Sequence, residues 1–229
     1  MKRIVVVLAS LFVLSATAAF AETRTLNFTD FNQIGVGSGM RVSITQGEHY
    51  RVEATGDPRD LDRLRIKQNR DVLEFSIQSH WLGGTHTGPI ILDITLPALR
   101  KLNLSGGTRG SINQFALDRF SVTVSGGSEL QGKLTSGDLD LNASGGSRIV
   151  LSGASKRLNV EGSGGSGLEA KDLTVIDVKA SLSGGSWVVV NMSGGLEAQL
   201  SGGSHVTYYG NATLGSIAAS GGSRVRKGT

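Results

Sequence analysis

Residues 141–170 read LNASGGSRIVLSGASKRLNVEGSGGSGLEA, and the tetrapeptide SGGS occurs in them twice, nineteen residues apart. The block also begins at Ser125, Ser183, Ser201 and Ser220, and an SGGT variant begins at Ser105, so that successive spacings are 20, 19, 19, 20, 18 and 19. Gly/Ser-rich composition alone favours a flexible linker. A linker has no reason to keep such a period, whereas stacked structural repeats do.

The columns that flank the aligned blocks alternate between apolar and polar residues, as strands do when one face is buried. One and three positions before each block every residue is apolar or glycine, and nearly all residues between these columns are polar. After the block an apolar column contains Leu130, Ile149, Leu168, Val188, Val206 and Val225. Each unit is therefore predicted to form a strand, an SGGS turn, a second strand and a loop.

A two-strand unit of this length cannot bury its apolar face alone, so successive units must stack and share one core. Equivalent strands then lie side by side and parallel, about 4.8 Å apart. We predict an all-β fold, a parallel β-solenoid of rungs of about nineteen residues, and right-handed because parallel crossovers nearly always are.

The paired glycines of each block are predicted to form the corners of the solenoid. Glycine adopts positive φ at little cost, and small residues let consecutive corners stack. The flanking serines are predicted to hydrogen-bond to turn backbone or to one another. The predicted structural turns consist of Ser125, Gly126, Gly127, Ser144, Gly145, Gly146, Ser163, Gly164, Gly165, Ser183, Gly184, Gly185, Ser201, Gly202 and Gly203.

Residues 22–100 lack the SGGS block but contain shorter β-like runs at 50–54, 72–77 and 90–96. Residues 57–68 interrupt these runs and are predicted to form a short helix or a turn. We expect irregular solenoid rungs and a cap in residues 22–100, continuous with the regular repeats of residues 101–229.

The N-terminus is typical of a cleaved secretory signal. Lys2 and Arg3 precede an apolar run, and Ala19-Phe20-Ala21 matches a signal peptidase site, so residues 1–21 are predicted to be removed. A membrane anchor is the alternative, but the run is shorter than the roughly 20 apolar residues of a spanning helix. We expect a mature chain without a transmembrane segment, located in the periplasm or at the surface of a bacterium. The absence of cysteine excludes disulfides and thiolate metal sites.

Several motifs resemble one known family. They are FNQI from Phe31, MRVSITQG from Met40, DITLPAL from Asp93 and LNLSGG from Leu102. In their order and spacing they resemble the head GIN domain family, whose members are named as autotransporter adhesins. The resemblance spans nearly all of the mature chain and implies a non-enzymatic, exported β-helical protein of the cell envelope. Because the sequence leaves no room for a translocator, we expect that this chain is not a complete autotransporter.

Three chemical motifs in the sequence do not indicate a functional site. Residues 127–134 match a phosphate-binding loop except at Leu134, and they fall inside a repeat. No aspartate column accompanies the blocks, which argues against calcium-binding β-roll repeats. His80 and His86 flank Trp81 in a glycine-rich loop, but no third metal ligand is evident, so we expect neither a cofactor nor a metal.

The remaining functional signal lies on the outward face after the turn. The alternation predicts that Trp187 and Val189 face solvent beside His205, Thr207 and Arg224. Exposed aromatic residues on a flat sheet commonly mark contact surfaces, so these five residues form a candidate surface for a glycan or a protein. Burial of Trp187 under a C-terminal segment or a partner subunit, as in a homo-oligomer, is the alternative.

Charge and carboxylate placement limit the other functions. The formal charge is +4, of which Lys2 and Arg3 contribute two, so nucleic acid is a poor partner. Arg224, Arg226 and Lys227 are explained as charges that protect an edge strand from aggregation. Asp138 and Asp140 share a strand face but find no further carboxylates in neighbouring units. We therefore favour a non-catalytic, adhesin-like binding protein over the alternative, a carbohydrate-active β-helix enzyme.

Overall fold

The computed structural model describes residues 21–78 and 88–229 of the chain. It contains seventeen strands and one four-residue helix, α1 (Pro58–Leu61). The strands are β1 (Glu22–Leu26), β2 (Gln33–Val36), β3 (Arg41–Gln46), β4 (Arg51–Gly56), β5 (Leu64–Asn69), β6 (Val72–Ile77), β7 (Ile91–Leu96), β8 (Lys101–Leu104), β9 (Arg109–Val124), β10 (Glu129–Ala143), β11 (Arg148–Gly162), β12 (Gly167–Leu182), β13 (Trp187–Met192), β14 (Gly195–Leu200), β15 (His205–Gly210), β16 (Thr213–Ala219) and β17 (Arg224–Lys227).

The strands form a parallel β-solenoid of about 7 turns that lie ~19 residues apart, as the repeat predicted. In β9 to β12 each coil is one continuous strand of 15 or 16 residues, so the predicted loop between two strands is absent from these coils. Register shifts at Lys133/Leu134 and Val150/Gly153 show that irregularities of the ladder replace that loop. Later coils are split into β13 and β14, β15 and β16.

The solenoid has two outer surfaces that are named here. The front facet consists of β3, β7, β13, β15, β17 and the N-terminal halves of β9 to β12. The back facet consists of β2, β6, β8, β14, β16 and the C-terminal halves of β9 to β12. The SGGS corners join the back facet of one coil to the front facet of the next.

The core is a stack of the apolar columns identified from the sequence. Leu130, Ile149, Leu168, Val188 and Val206 are at most 1% exposed. Burying each such side chain contributes about 1.5–3 kcal/mol. In the last coil Val225, which continues this column, is only partly buried, and Leu214 and Ile217 of the back facet are 51% and 36% exposed, because no further coil stacks on them.

Each SGGS corner is a tight turn whose two glycines both have positive φ. Gly145 and Gly146 have φ of 63° and 74°, the pattern that a type I′ turn requires at both central residues. The Gly146 N–H donates to the Gly164 carbonyl of the next corner (3.0 Å). A Cβ on Gly145 would lie 3.2 Å from the backbone nitrogen of Gly126, whereas one on Gly146 would meet nothing within 4 Å. Only the first glycine is therefore limited by the preceding corner.

The last residue of every block from Thr108 to Ser204 is buried, and in several of these blocks its hydroxyl donates to the first residue of its own turn. The side chains of Ser147, Ser186 and Ser204 donate to the carbonyls of Ser144, Ser183 and Ser201 (2.5, 2.8 and 2.8 Å). These three serines are at most 2% exposed. Their hydroxyls therefore satisfy corner carbonyls where water has little access.

The N-terminal rungs do not follow chain order. The corner of residues 37–40 joins β2 and β3, and both strands lie between β6/β7 on one side and β8/β9 on the other. Three antiparallel pairs complete this end: β4 pairs with β1 and with β7, and β5 pairs with β6. The prediction of a helix or turn across residues 57–68 is right for α1 and wrong for Leu64–Asn69, which forms strand β5 on the edge of the back facet.

Two predicted features fall partly or wholly outside the described residues. They are the signal sequence, of which only Ala21 is described, and the loop containing His80, Trp81 and His86. Within residues 21–78 and 88–229, no helix has the length and apolarity needed to cross a membrane.

Candidate functional site

The front facet aligns three of the predicted surface residues in one row. Trp187 is paired with His205, and His205 is paired with Arg224, on the adjacent parallel strands β13, β15 and β17. Trp187 and His205 are partly exposed and Arg224 is exposed. The row therefore places an aromatic, an imidazole and a guanidinium group at successive strand spacings of about 4.8 Å.

The Trp187 ring lies flat on the facet because its neighbour on the preceding coil is glycine. Gly167 is paired with Trp187, and a Cβ on Gly167 would lie 2.3 Å from two atoms of the indole. Arg148, one coil further, places its Cζ 5.8 Å from the centre of the same ring, within range of a cation–π interaction. The indole is thus held between a glycine and a guanidinium group and points away from His205.

The second predicted row differs from the expectation at Thr207. Val189 is partly exposed and is paired with Thr207, which is in turn paired with Arg226. Thr207 is only 5% exposed, because Arg226 lies over it and its Nε donates to Thr207 Oγ1 (3.0 Å). Thr207 therefore lies in the outward column but contributes little exposed surface, and the exposed group at this position is the guanidinium of Arg226.

A second cation–aromatic pair lies nearby and was not predicted from the sequence. Lys171 Nζ is 4.3 Å from the ring centre of Tyr209, at the end of β15. The backbone of Gly228 also approaches the Tyr209 ring, and a Cβ on Gly228 would lie 2.4 Å from it. We call the surface formed by Arg148, Lys171, Trp187, His205, Arg224 and Arg226 the Trp187 patch.

On the back facet the predicted carboxylate pair is engaged in a charge ladder. Asp138 Oδ1 accepts from Arg157 (2.6 Å) and Oδ2 accepts from Arg119 (3.1 Å), on the two neighbouring coils. These hydrogen bonds, Arg157 first, lower the pKa of Asp138 to about 2. Asp140 accepts from the amide of Asn159 (2.7 Å). Asp138 is therefore ionised at neutral pH and unsuited to donate a proton in general acid catalysis.

Metal chemistry also lacks a site in the part of the chain that the structure describes. No group of three or more histidine, cysteine, aspartate or glutamate side chains there could hold an ion. The motif of residues 127–134, which resembles a phosphate loop, leads into strand β10 rather than a helix, so it lacks the helix N-terminus that binds phosphate.

With the fold and these surfaces described, one family comparison is decisive. Residues 30–212 match the family model described as "Putative auto-transporter adhesin, head GIN domain". The chain belongs to this family. The resemblance inferred from the FNQI, MRVSITQG and DITLPAL segments is therefore confirmed. None of the curated proteins matches the head GIN protein significantly in sequence.

Solved structures share the fold of the head GIN protein at low sequence identity. A "putative adhesin" from Bacteroides fragilis has a TM-score of 0.84 at 19% identity, over 92% of this chain and 98% of that one. A "putative adhesin" from Parabacteroides merdae has a TM-score of 0.73 at 19% identity, over 91% and 96% of the two chains. A "putative lipid binding protein" from Parabacteroides distasonis has a TM-score of 0.71 at 17% identity, over 91% and 97%. At these identities the likeness establishes the shared fold.

The sequence contained one overlooked signal for the Trp187 patch. Gly167 is the only glycine in the outward column of Arg109, Glu129, Arg148, Gly167, Trp187, His205 and Arg224. A glycine next to a large aromatic on a neighbouring strand indicates that the ring lies over it. Lys171 and Tyr209 share a column of the head GIN repeats, eight positions after Ser163 and Ser201, but their contact spans two coils and the register of β12 shifts between Ala170 and Thr174.

Proposed function

We propose that this head GIN protein is a non-catalytic, exported protein of the cell envelope, whose adhesin-like domain binds a surface glycan or protein through the Trp187 patch. The observation that carries the proposal is the Trp187 ring, which is partly exposed and held flat over Gly167. An aromatic ring fixed on a flat, rigid sheet offers contact area at little cost in conformational entropy. Membership of a family described as adhesins supports the same function.

The absence of catalysis is supported by the state of the carboxylates. Asp138 is held ionised between Arg119 and Arg157, and Asp140 is bound to Asn159. Glycoside cleavage needs one carboxyl group that is protonated near neutral pH beside a second that is ionised. The back facet, where sequence analysis placed the candidate pair, does not provide the protonated group.

Binding is tested with the Trp187→Ala variant. Retention of the wild type on glycan arrays and on bacterial or host cell surfaces is compared with that of the variant. The matched control is Ile176→Ala, which removes another exposed apolar side chain (48% exposed) that is not part of the patch. We expect that Trp187→Ala weakens retention and that Ile176→Ala does not. Equal retention by the wild type and Trp187→Ala would refute the binding role of the patch.

Export is tested by fractionation of cells that express the chain with a C-terminal tag. The predicted signal of residues 1–21 directs the protein out of the cytoplasm, and adhesion further requires that it reaches the surface. We expect cleavage of the signal and accessibility of the tag to protease added to intact cells. A tag found wholly in the periplasm would contradict the adhesin function while leaving export intact.

A further inference from the structure

From the charges around Trp187 we infer that the ligand of the Trp187 patch is an acidic polysaccharide, one that carries carboxylate or sulfate groups along an extended chain. This inference rests on the proposed function and adds the chemical class of its ligand. It depends on the arrangement of the basic side chains, the form of the facet and the position of the aromatic ring.

The basic side chains of the patch are not neutralised by the protein. Within residues 21–78 and 88–229, the ion pairs engage none of Arg148, Lys171, Arg224 and Arg226 with a carboxylate. Elsewhere on the solenoid the corresponding groups are paired, as Arg109 is with Glu129 (3.3 Å). Unpaired cations on one face attract and retain anionic ligands.

Among the described residues, no carboxylate lies at the outward positions of the last three strands of the front facet. The outward positions of β13, β15 and β17 are Trp187, Val189, Asn191, His205, Thr207, Tyr209, Arg224 and Arg226. Glu129 is paired in register with Arg148 but forms an ion pair with Arg109 (3.3 Å), and Glu169 is paired with Val150 and Val189. These strands therefore present the guanidinium groups of Arg224 and Arg226 without a carboxylate of their own.

The facet is shaped for an extended ligand. Arg148, Trp187, His205 and Arg224 lie in one outward column across successive coils, at steps of about 4.8 Å along the solenoid axis. The nearest depression, of about 350 Å³, is shallow and is lined by Glu129, Leu130, Gln131, Arg148 and Val150. A polymer that lies along the axis can contact the cations at both ends of the column at once, which a compact ligand cannot.

The aromatic ring favours a sugar polymer over a simple polyanion. The apolar face of a sugar ring packs on an aromatic side chain, while its carboxylate or sulfate pairs with a guanidinium group. Arg148 Cζ lies 5.8 Å from the centre of the Trp187 ring, so one monosaccharide can contact both groups. An inorganic polyphosphate would use the cations and gain nothing from Trp187.

The test uses polygalacturonate, dextran sulfate, neutral dextran and inorganic polyphosphate as probes, with binding measured by calorimetry at 50 and 300 mM salt, about the range over which exposed charges become screened. We expect binding of the two acidic polysaccharides that weakens with salt, and no binding of neutral dextran. Tighter binding of polyphosphate than of polygalacturonate would overturn the inference in favour of a simple anion site.

Charge and aromatic contributions are separated by variants. Replacing both Arg224 and Arg226 by glutamine is expected to weaken polygalacturonate binding about tenfold, because each exposed charge contact contributes modestly to the binding free energy. The matched control replaces Arg100 and Lys156 by glutamine, which removes the same charge; both residues are exposed, lie outside the patch and form no ion pair with the described residues. Equal losses of binding in the two double variants would show that only net charge matters and would overturn the inference.

The Gly167→Ala variant tests whether the position of the Trp187 ring matters for binding, because it leaves the tryptophan itself unchanged. Its φ is not in the left-handed region, so alanine suits the backbone, but the new Cβ would lie 2.3 Å from the indole and must displace it. We expect weaker polygalacturonate binding and a shift in Trp187 fluorescence, measured with Trp81 replaced by phenylalanine. If neutral glycans or proteins bind through Trp187 while acidic polysaccharides do not, the ligand class is wrong and the proposed function stands. If Trp187→Ala alters no binding at all, the proposed function fails.

Discussion

The paired glycines Gly145 and Gly146 allow a matched test of the stacked corners. Both have positive φ, but a Cβ at Gly145 would meet the Gly126 backbone nitrogen at 3.2 Å, and a Cβ at Gly146 would meet nothing within 4 Å. Alanine at either position costs about 1–2 kcal/mol for the left-handed conformation. Alanine at Gly145 must also displace a neighbouring backbone, which costs a further ~1–3 kcal/mol.

We therefore expect Gly145→Ala to destabilise the protein by about 1–3 kcal/mol more than Gly146→Ala. In a domain of this size that difference lowers Tm by about 2–4 °C per kcal/mol. Calorimetry and chemical denaturation of the two variants measure it. Gly146→Asn is the control for backbone conformation, because asparagine adopts positive φ more readily than alanine.

The chain contains a natural counterpart of this experiment. Ser38 has φ 62° and occupies the position of the first glycine in the corner of residues 37–40. Its side chain lies by the end of β6, where the Ile77 N–H donates to Ser38 Oγ (3.3 Å). In the next corner, a Cβ on Gly106 would lie 3.3 Å from the Ser38 backbone nitrogen, and the position is occupied by glycine. If Gly145→Ala and Gly146→Ala were equally destabilising, close stacking of corners would not explain why the first position is glycine.

Three further predictions concern the core and the charge ladder. Leu158 is fully buried, and Leu158→Ala is expected to lower the free energy of unfolding, measured by chemical denaturation, by about 2–5 kcal/mol. Ile217 in the last coil is 36% exposed, and Ile217→Ala is expected to lower it by less than about 1 kcal/mol. Similar losses in the two variants would mean that the last coil is covered. Because the pKa of Asp138 is lowered to about 2, its ion pairs stabilise the fold above the unfolded-state pKa of about 4, and this contribution is lost as the pH falls toward 2. Asp138→Asn should therefore reduce the decrease of Tm between pH 4 and 2. Asp118 is an exposed aspartate without an ion pair among the described residues, so Asp118→Asn should leave that decrease unchanged. Identical plots of Tm against pH for the two variants would contradict a stabilising role of the Asp138 ion pairs. Ser204→Ala should lower the free energy of unfolding by about 1 kcal/mol, because it removes the hydrogen bond to the Ser201 carbonyl (2.8 Å). Ser201→Ala keeps this carbonyl and its hydrogen bond, so it should lower the free energy of unfolding by less.

The sequence was sufficient to predict the regular half of the fold. The period of the SGGS blocks fixed the coil length, and the apolar columns fixed which residues face inward, because alternation on a strand leaves only one register with a buried apolar face. The core residues Leu130, Ile149 and Leu168 lie where this alternation placed them.

The N-terminal rungs were less predictable because their order depends on pairing between distant segments. Strands β2 and β3 lie between later strands of the chain, and no local pattern records which strands meet. Leu64–Asn69 has only two apolar residues and reads as a turn, yet it forms an edge strand because β6 offers it a partner. The alternation of the strand predicts which side of the sheet Arg226 faces, but it does not predict that the long arginine side chain folds over Thr207 on the neighbouring strand.

The corner hydrogen bonds also determine how a chain of this kind can change in length. The first four SGGS-type corners meet through the same contact, as Gly127 N–H does with the Gly145 carbonyl and Gly146 N–H does with the Gly164 carbonyl (both 3.0 Å). These coils therefore present the same corner interface on both sides, and a whole coil can be inserted or deleted among them at a block boundary without creating a new type of junction. Removal of residues 163–182 would bring Arg148 beside Trp187 and eliminate Gly167, the residue on which the ring rests. The number of coils between Arg148 and Arg224 thus acts as a ruler, in steps of about 4.8 Å, for the distance between their charges.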